Sequence, residues 1–270
     1  MSGILRAETP ILPNIEAETA DALYVRAAGR AMQLLGAFHR ATGPLTLTEI
    51  AECAGLGRSA AQRLVHTLLT LGYLRRGPGQ RGYLPGLRIL DNTLDLLRLD
   101  PMVQKATPVL LELRKTVRER VDLSLFDKTR LIYALRMQSK RETFYATLVG
   151  HSVPVFCTAG GRAVLSVLPE AEVRGILDRT TLDAFTPMTV TDPDLILELV
   201  DRARRDGYAI VTDEFVQGEV AIGVAVRQGD GVPLGAIHVA GSLSEWTPET
   251  FADAVAPFAT EAARAIMGSL

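Results

Sequence analysis

The segment from Leu45 to Gly86 constrains the fold of this chain more than any other. Its sequence, LTLTEIAECAGLGRSAAQRLVHTLLTLGYLRRGPGQRGYLPG, has the pattern of a short helix, a tight turn, a second helix and a hairpin. Thr46 or Thr48 can cap the first helix, with Glu49 just behind it. Glycines in Gly55-Leu56-Gly57 allow the positive φ of a sharp corner. The pattern is typical of a winged helix-turn-helix.

The second helix of this segment has two distinct faces. Ser59 is predicted to cap it, and its apolar residues recur at the three-and-four spacing of one buried stripe, namely Ala61, Leu64, Val65, Leu68 and Leu69. The other face carries side chains that donate to phosphates and to base edges in a major groove. We therefore predict DNA contacts from Arg58, Ser59, Gln62, Arg63 and His66.

The hairpin that follows carries arginines. A strand pattern at residues 73–76 turns through Gly77-Pro78-Gly79 and returns over residues 81–84. We predict that this hairpin is the wing and that Arg75, Arg76 and Arg81 contact DNA. The alternative is that the segment is a helix-turn-helix that never binds DNA, with arginines that are simply solvated.

The distribution of charge favours DNA. The whole chain has a formal net charge of −2, but the segment from Arg26 to Arg88 has nine arginines and two acidic residues, 9 − 2 = +7. The acidic residues are Glu49 and Glu52, and the arginines are Arg26, Arg30, Arg40, Arg58, Arg63, Arg75, Arg76, Arg81 and Arg88. A basic segment on an otherwise acidic chain is the electrostatic pattern of a nucleic-acid-binding head.

Composition bounds the remaining possibilities. The chain has 270 residues, of which 47% are hydrophobic, as expected for two folded domains. Its two cysteines, Cys53 and Cys157, are too few for a disulfide framework or a zinc site. The first residues lack the pattern of a signal peptide, and no apolar run is long enough to span a membrane. We expect a cytoplasmic protein without a membrane partner.

Four regions follow in order along the chain. Residues 1–21 are predicted to be a flexible arm, and residues 22–86 the DNA-binding domain, which begins with a helix over residues 22–41. A leucine-rich linker helix is predicted in residues 87–104, with a break at Pro101. Its leucines can pack on the chain's own head or pair with the linker of a second copy in a dimer.

Residues 105–270 alternate between helix and strand patterns. Period-two strands are predicted at 121–126 and 131–135, and later at 208–211, 220–226 and 234–240. Helices are predicted over 102–120, with a kink or split at Pro108, and over 158–168 and 169–179. A further helix is predicted over 192–207 with Asp192 as its cap, and a last helix opens at Pro248. Helices beside one mainly antiparallel sheet make this domain α+β.

With these elements in place, the chain resembles the IclR (isocitrate lyase regulator) family of bacterial transcription factors. The resemblance is carried by the segments LTEIAECAGLGRSAAQRLVHTLLTLGYL, VPVFCTAGGRAVLSVL, TVTDPDLILELVDRARRDGYAIVTDEF and GEVAIGVAVRQGDGVPLGAIHVAG. It implies a winged helix-turn-helix, a linker helix and a GAF-like effector domain that binds a small, usually anionic metabolite. It also implies dimers or tetramers that repress or activate transcription from DNA operators. We expect no cofactor and no metal.

The chain departs from the family at three places near the expected effector site. It has Gly161-Arg162 where the family usually has Gly-Lys, and His238 followed by Ala240 where many members have a small polar residue. The block after Gly218 begins with Glu219. The identity of the effector therefore does not transfer.

The expected effector site combines a helix start with residues taken from the resemblance. Thr158 can cap the helix whose first residues, Ala159, Gly160 and Gly161, leave backbone N–H groups open to an anion. Alternatively, the small residues only allow close packing. Arg162 can face this pocket or form a surface ion pair. The resemblance adds Tyr145 and Val153 on one wall, Asp213, Glu219 and Ala221 opposite, and His238 and Ala240 on the floor.

Two of these positions have a second interpretation. A histidine on a strand is often a satisfied core residue, although alternation places His238 beside the small Ala236 and Ala240. Asp213 and Glu214 can simply cap a loop. Cys157 is expected to be buried packing.

The sequence therefore predicts a regulator that binds a palindromic operator and senses a small carboxylate or aromatic metabolite. The competing hypothesis is an enzyme of small-molecule metabolism with a docking head. No GxSxG, HExxH or P-loop pattern is present, and we assign no catalytic residue.

Overall fold

The computed structural model describes residues 22–138, 149–229 and 231–269. The predicted arm, residues 1–21, and the predicted effector residue Tyr145 lie outside these residues. The chain divides near Leu97 into two compact units, and each is described by itself. In the described ranges, no helix is both long and apolar enough to cross a membrane.

The N-terminal unit begins with three helices. Helix α1 spans Arg26–Gly36 and continues as a 3₁₀ turn over Ala37–Arg40, so it begins later than the predicted residue 22. Helix α2 spans Leu47–Cys53 and α3 spans Arg58–Thr70. Thr46, one of the two predicted caps, begins α2: its Oγ1 accepts from the Glu49 N–H, and Glu49 Oε2 accepts from the Thr46 N–H at 2.7 Å.

The corner between α2 and α3 uses its two glycines differently. Gly55 has a φ of +59°, as predicted for the turn, whereas Gly57 is extended and is the N-cap of α3. The prediction that Ser59 caps this helix is wrong, because the Gly57 carbonyl already accepts the first helical hydrogen bond from Ala61. Ser59 lies instead in the exposed first turn of α3.

The wing is a two-stranded hairpin with a third extended segment at its side. Strand β1, Leu74–Arg76, pairs antiparallel with β2, Tyr83–Pro85. Leu45 and Tyr83 exchange two backbone hydrogen bonds of 3.0 and 2.8 Å, which attach the segment before α2 to β2. The core of this unit joins the helices and the wing through Leu34, Ile50, Ala54, Val65, Leu68, Leu74 and Tyr83.

Two consecutive helices follow the wing. Helix α4 spans Arg88–Leu99 and α5 spans Pro101–Val117. Asp100 caps α5 by accepting from the Val103 N–H at 3.0 Å. Pro101 starts this helix, and Pro108 lies inside it without splitting it. The suggested boundary between residues 104 and 105 therefore falls within α5.

Among the described residues of the C-terminal unit, six strands form one antiparallel sheet in the order β5-β4-β3-β8-β7-β6. The strands are β3 Arg120–Asp127, β4 Arg130–Met137, β5 Ser152–Pro154, β6 Ala209–Thr212, β7 Glu219–Arg227 and β8 Pro233–Ser242. All but β5 were predicted; β5 is too short to show an alternating pattern. The α+β class is confirmed.

Helices cover both faces of this sheet. Helix α5 and the last helix, α9 (Pro248–Met267), pack on one face through a core that includes Leu123, Ile222 and Phe251. Helix α6, Ala159–Ser166, packs on the other face together with α8, Pro193–Asp206, and α7, Glu170–Leu177, packs beside them. Asp192 caps α8 as predicted.

Candidate functional site

Helix α3 presents a polar, exposed face. Its predicted DNA-binding residues recur at helical spacing and are all exposed, while Ala61, Val65 and Leu68 on the opposite side are buried. The exposed residues are Arg58, Ser59, Gln62, Arg63 and His66. Their donors are free to reach phosphates and base edges, the groups that a recognition helix contacts in a major groove.

The three wing arginines differ in how they are held. Arg75 Nε donates to the Pro85 carbonyl at 3.2 Å, and the Arg76 guanidinium lies 4.5 Å from the centroid of the Tyr83 ring. The Arg81 side chain is exposed and forms no ion pair with any described residue. Arg81 is therefore the wing cation with most freedom to contact a phosphate.

The second candidate site lies on one face of the C-terminal sheet. Register places Arg120, Asp122 and Ser124 of β3 opposite Ala240, His238 and Ala236 of β8. The alternate residues of β3, including Val121 and Leu123, belong to the hydrophobic core on the other face. This face is thus buried but polar, which requires its polar groups to find partners.

A cavity opens between this face, the start of α6 and the loop that follows β6. Its volume is about 30 Å³, room for roughly one water molecule. Six predicted effector residues line it: Ala159, Asp213, Glu219, Ala221, His238 and Ala240. The other lining residues are Arg120, Tyr133, Cys157, Thr158, Val211, Glu214, Phe215 and Val216.

Three predicted effector residues do not line this cavity. Val153 is fully buried on β5, where it pairs with Leu131 in a hydrophobic cluster. A Cβ on Gly160 would lie 2.1 Å from His238 Cε1, and one on Gly161 would lie 2.2 Å from the Val155 carbonyl oxygen. The glycines therefore let the start of α6 pack directly on its neighbours, the alternative considered for this stretch.

The start of α6 keeps some of the polar groups that were predicted to bind an anion. Thr158 is the N-cap of α6, with its Oγ1 accepting from the Gly161 N–H at 3.3 Å. Ala159 is the first residue of the helix and lines the cavity. Open backbone donors at this end are confined to its first positions because Gly161 is already capped.

Arg162 takes neither of the two positions considered for it. It is almost fully buried, and it donates to both carboxylate oxygens of Glu214, at 2.5 and 2.7 Å, and to the Phe156 carbonyl at 2.9 Å. Glu214 also accepts from the Val190 N–H at 3.0 Å. This is a buried bidentate ion pair that ties α6 to the loop after β6.

A second ionic network lies at the cavity itself. Arg120 Nη1 is 2.8 Å from Glu219 Oε2, and Arg120 Nε donates to Asp122 Oδ2 at 3.1 Å. Arg136 Nε lies 3.6 Å from Asp122 Oδ1, and the Arg136 guanidinium is 4.9 Å from the centroid of the Tyr133 ring. Burial raises the pKa of Asp122, although Arg120 and Arg136 counteract that shift. Sequence reasoning placed no buried cation here.

His238 is neutral in this environment. Its Nε2 lies 2.7 Å from Ser124 Oγ, and its ring lies 5.3 Å from that of Tyr133, measured between centroids. Burial, together with the positive charges of Arg120 and Arg136, lowers the pKa of His238 to about 3. The imidazole is therefore a satisfied core group that also lines the cavity.

The low pKa of His238 predicts a pH-dependent stability. As the pH falls below 6.5, the ordinary pKa of histidine, His238 takes up a proton in the unfolded chain. In the folded chain it does so only near pH 3. The stability present above pH 6.5 is then lost, by roughly 2 kcal/mol between pH 7 and pH 5. Denaturant titrations should show this loss in the wild-type protein but not in His238→Gln; equal pH dependence in both would contradict the assignment.

Asp213 has the capping role considered for it. It has a φ of +60°, its backbone N–H donates to the Glu219 carbonyl at 2.9 Å, and its Oδ1 accepts from the Gly218 N–H at 2.5 Å. These bonds close the turn between β6 and β7. Asp213 lines the cavity, but its carboxylate is already engaged.

Arg120 and Tyr133 are the principal cavity residues that sequence reasoning missed. The signal was present in β3, where Arg120, Asp122 and Ser124 alternate with Val121 and Leu123. A strand with one polar and one apolar face usually exposes the polar one, so burial of both faces was not anticipated. Within the described ranges, no group of three or more potential ligand residues could hold a metal ion.

Comparison with known proteins bears on both units. Residues 27–78 match the family described as the IclR helix-turn-helix domain, and residues 96–267 match the family described as the C-terminal domain of bacterial transcriptional regulator IclR. The chain is 31% identical over 220 residues to the HTH-type transcriptional regulator Rv1719 of Mycobacterium tuberculosis, covering 80% of this chain and 82% of that protein.

Two further similar proteins have names that mention hydroxybenzoate, one within the name of an enzyme and one as a bound compound. The chain is 26% identical to the p-hydroxybenzoate hydroxylase transcriptional activator of Acinetobacter baylyi, covering 87% of this chain and 88% of the activator. It shares its fold with an IclR homologue from Microbacterium hydrocarbonoxydans solved in complex with 4-hydroxybenzoate. The TM-score is 0.71 at 24% identity, with 90% of this chain and 98% of the homologue covered.

Proposed function

The chain belongs to the IclR family of transcriptional regulators, and we propose that it binds an operator and changes its affinity in response to a small organic molecule. The observation that best supports DNA binding is the exposed polar face of α3, which is followed by an arginine-bearing wing. In this proposal, residues 22–86 form the DNA-binding domain, and the effector domain follows the α4 region. A regulator of this kind acts in the cytoplasm.

The protein acts as a dimer or tetramer in this proposal. Leu87, Leu90 and Leu94 recur at helical spacing, and all three are more than 60% exposed. A row of exposed leucines supports pairing with a second copy, because burial of apolar area drives association. The described part of each chain contains one helix-turn-helix, so two copies are needed to read the two halves of a palindrome.

The effector in this proposal is a small organic acid, such as an aromatic carboxylate. The cavity combines apolar and aromatic groups, including Tyr133 and Phe215, with the Arg120 guanidinium. The named relatives support this class, since one regulates p-hydroxybenzoate hydroxylase and another binds 4-hydroxybenzoate. In this proposal the ligand's polar end binds at Arg120 and not only at the start of α6.

The competing hypothesis is an enzyme with a docking head. His238 is neutral and bonded to Ser124, and Glu214 is held by Arg162, so neither is poised as a free acid or base. Incubation of the purified protein with a panel of small carboxylates, aromatic acids and their amides separates the two. Saturable thermal stabilisation without turnover is expected of a sensor, and turnover of any panel compound would replace the proposal with an enzyme.

A further inference from the structure

The cavity contains a carboxylate of the protein's own, next to the cation that would hold a charged ligand. Glu219 is the first residue of β7, and its Oε2 lies 2.8 Å from Arg120 Nη1. Both side chains line the cavity. Arg120 is also fixed from its other side by the fully buried Asp122, so the guanidinium is held in place whether or not Glu219 contacts it.

The size of the cavity implies that a side chain must move before a metabolite enters. A volume of about 30 Å³ holds roughly one water molecule, far less than an organic acid requires. Three acidic residues line the cavity. Asp213 closes the turn before β7, and Glu214 is bound by Arg162. Glu219 has Arg120 as its ion-pair partner, and its side chain remains 20% exposed, so it can turn to solvent without breaking the sheet.

The charges around Arg120 also indicate that Glu219 is the side chain that moves. A ligand carboxylate that entered while Glu219 stayed in place would be the third carboxylate around Arg120, beside Glu219 and Asp122. Repulsion between like charges in a partly desolvated site makes that arrangement unfavourable. An exchange of one carboxylate for the other leaves the charge around Arg120 unchanged. The ligand carboxylate can then accept hydrogen bonds from the Arg120 guanidinium in place of Glu219, in the bidentate geometry that guanidinium groups form with carboxylates.

We propose that Glu219 occupies the position on Arg120 that the carboxylate of an anionic effector takes, and that such an effector binds by displacing Glu219. This inference rests on the proposed function, because it takes the cavity to be the effector site. Glu219 then sets selectivity, because only a ligand that replaces its charge on Arg120 compensates for its departure.

Acetate tests this exchange without knowledge of the natural effector. In Glu219→Ala, acetate has the same charged group as the deleted side chain and should bind at Arg120. We expect the Tm of Glu219→Ala to rise saturably, by roughly 3–6 °C at an acetate concentration tenfold above its Kd, with ionic strength held constant by chloride. Uncharged acetamide should have no comparable effect, and acetate should leave the wild-type Tm nearly unchanged.

Glu170→Ala is the matched control. It removes a carboxylate from a pair with Arg174 that lies 2.9 Å apart but is exposed, so acetate should not stabilise it. No acetate effect in Glu219→Ala, an equal effect in wild type or Glu170→Ala, or an equal effect of acetamide would each overturn the proposal. If Glu219→Ala does not fold, Glu219→Gln serves instead, because it keeps the shape and removes the charge; acetate must then bind it more tightly than wild type.

This test and the test of the proposed function fail independently. The acetate titration uses neither DNA nor a metabolite panel, so a negative result refutes the exchange and leaves operator binding and effector sensing intact. Turnover in the metabolite panel would refute the regulator and leave the acetate result as a property of the cavity.

Discussion

Arg162→Met should lower the free energy of unfolding of the C-terminal unit by about 3–5 kcal/mol, because it leaves the buried carboxylate of Glu214 without its cationic partner. Arg162 holds both oxygens of Glu214, and the two side chains are 1% and 9% exposed. Methionine fills much of the same volume but supplies no donor. Urea titration of the wild-type and variant proteins, followed by circular dichroism, measures the difference.

Two comparisons separate the ion pair from a general effect of losing an arginine. Arg174→Met removes an exposed arginine paired with Glu170 and should leave the stability nearly unchanged. Arg162→Met/Glu214→Gln should recover part of the loss, because glutamine is uncharged and can still accept from the Val190 N–H. A cost for Arg162→Met as small as that for Arg174→Met would show that the pair does not stabilise the fold.

Arg63→Ala should weaken binding to the preferred operator by about 1–3 kcal/mol, roughly 5- to 150-fold, if the guanidinium contacts a base in bidentate form. Arg63 lies in the middle of the exposed face of α3, away from buried Val65 and Leu68. Anisotropy titrations with the operator and with a scrambled duplex measure the change in specificity directly.

Arg81→Ala provides the contrast. Arg81 lies in the wing, and loss of a phosphate contact from it should weaken binding to all duplexes about equally and reduce the dependence of affinity on salt. Unchanged operator affinity for Arg63→Ala, or equal losses on operator and scrambled DNA, would remove Arg63 from the residues that read bases.

Features with a local cause were predictable from the sequence. The Thr46 cap of α2, the Asp192 cap of α8 and the hairpin of the wing depend on residues a few positions apart. Ser59 shows the limit of such reasoning, since both it and Gly57 are acceptable caps and only the backbone of the corner selects the glycine.

Features with distant partners were not predictable in this way. Arg162 is 52 positions from Glu214, and Ser124 is 114 positions from His238, so neither pairing leaves a pattern along the chain. The resemblance indicated His238 and Glu219 as site residues, but the arginine that organises them lies on β3, outside every quoted segment. Buried ionic groups of this kind depend on the tertiary fold.

Selection of bound duplexes from a random-sequence pool with the purified protein tests most directly whether this chain reads DNA as a symmetric regulator. We predict enrichment of an inverted repeat whose two half-sites are separated by about one helical turn, roughly 10 base pairs, or a multiple of it. Retention of the pool without an enriched sequence, or enrichment of a single unrepeated half-site, would contradict that claim.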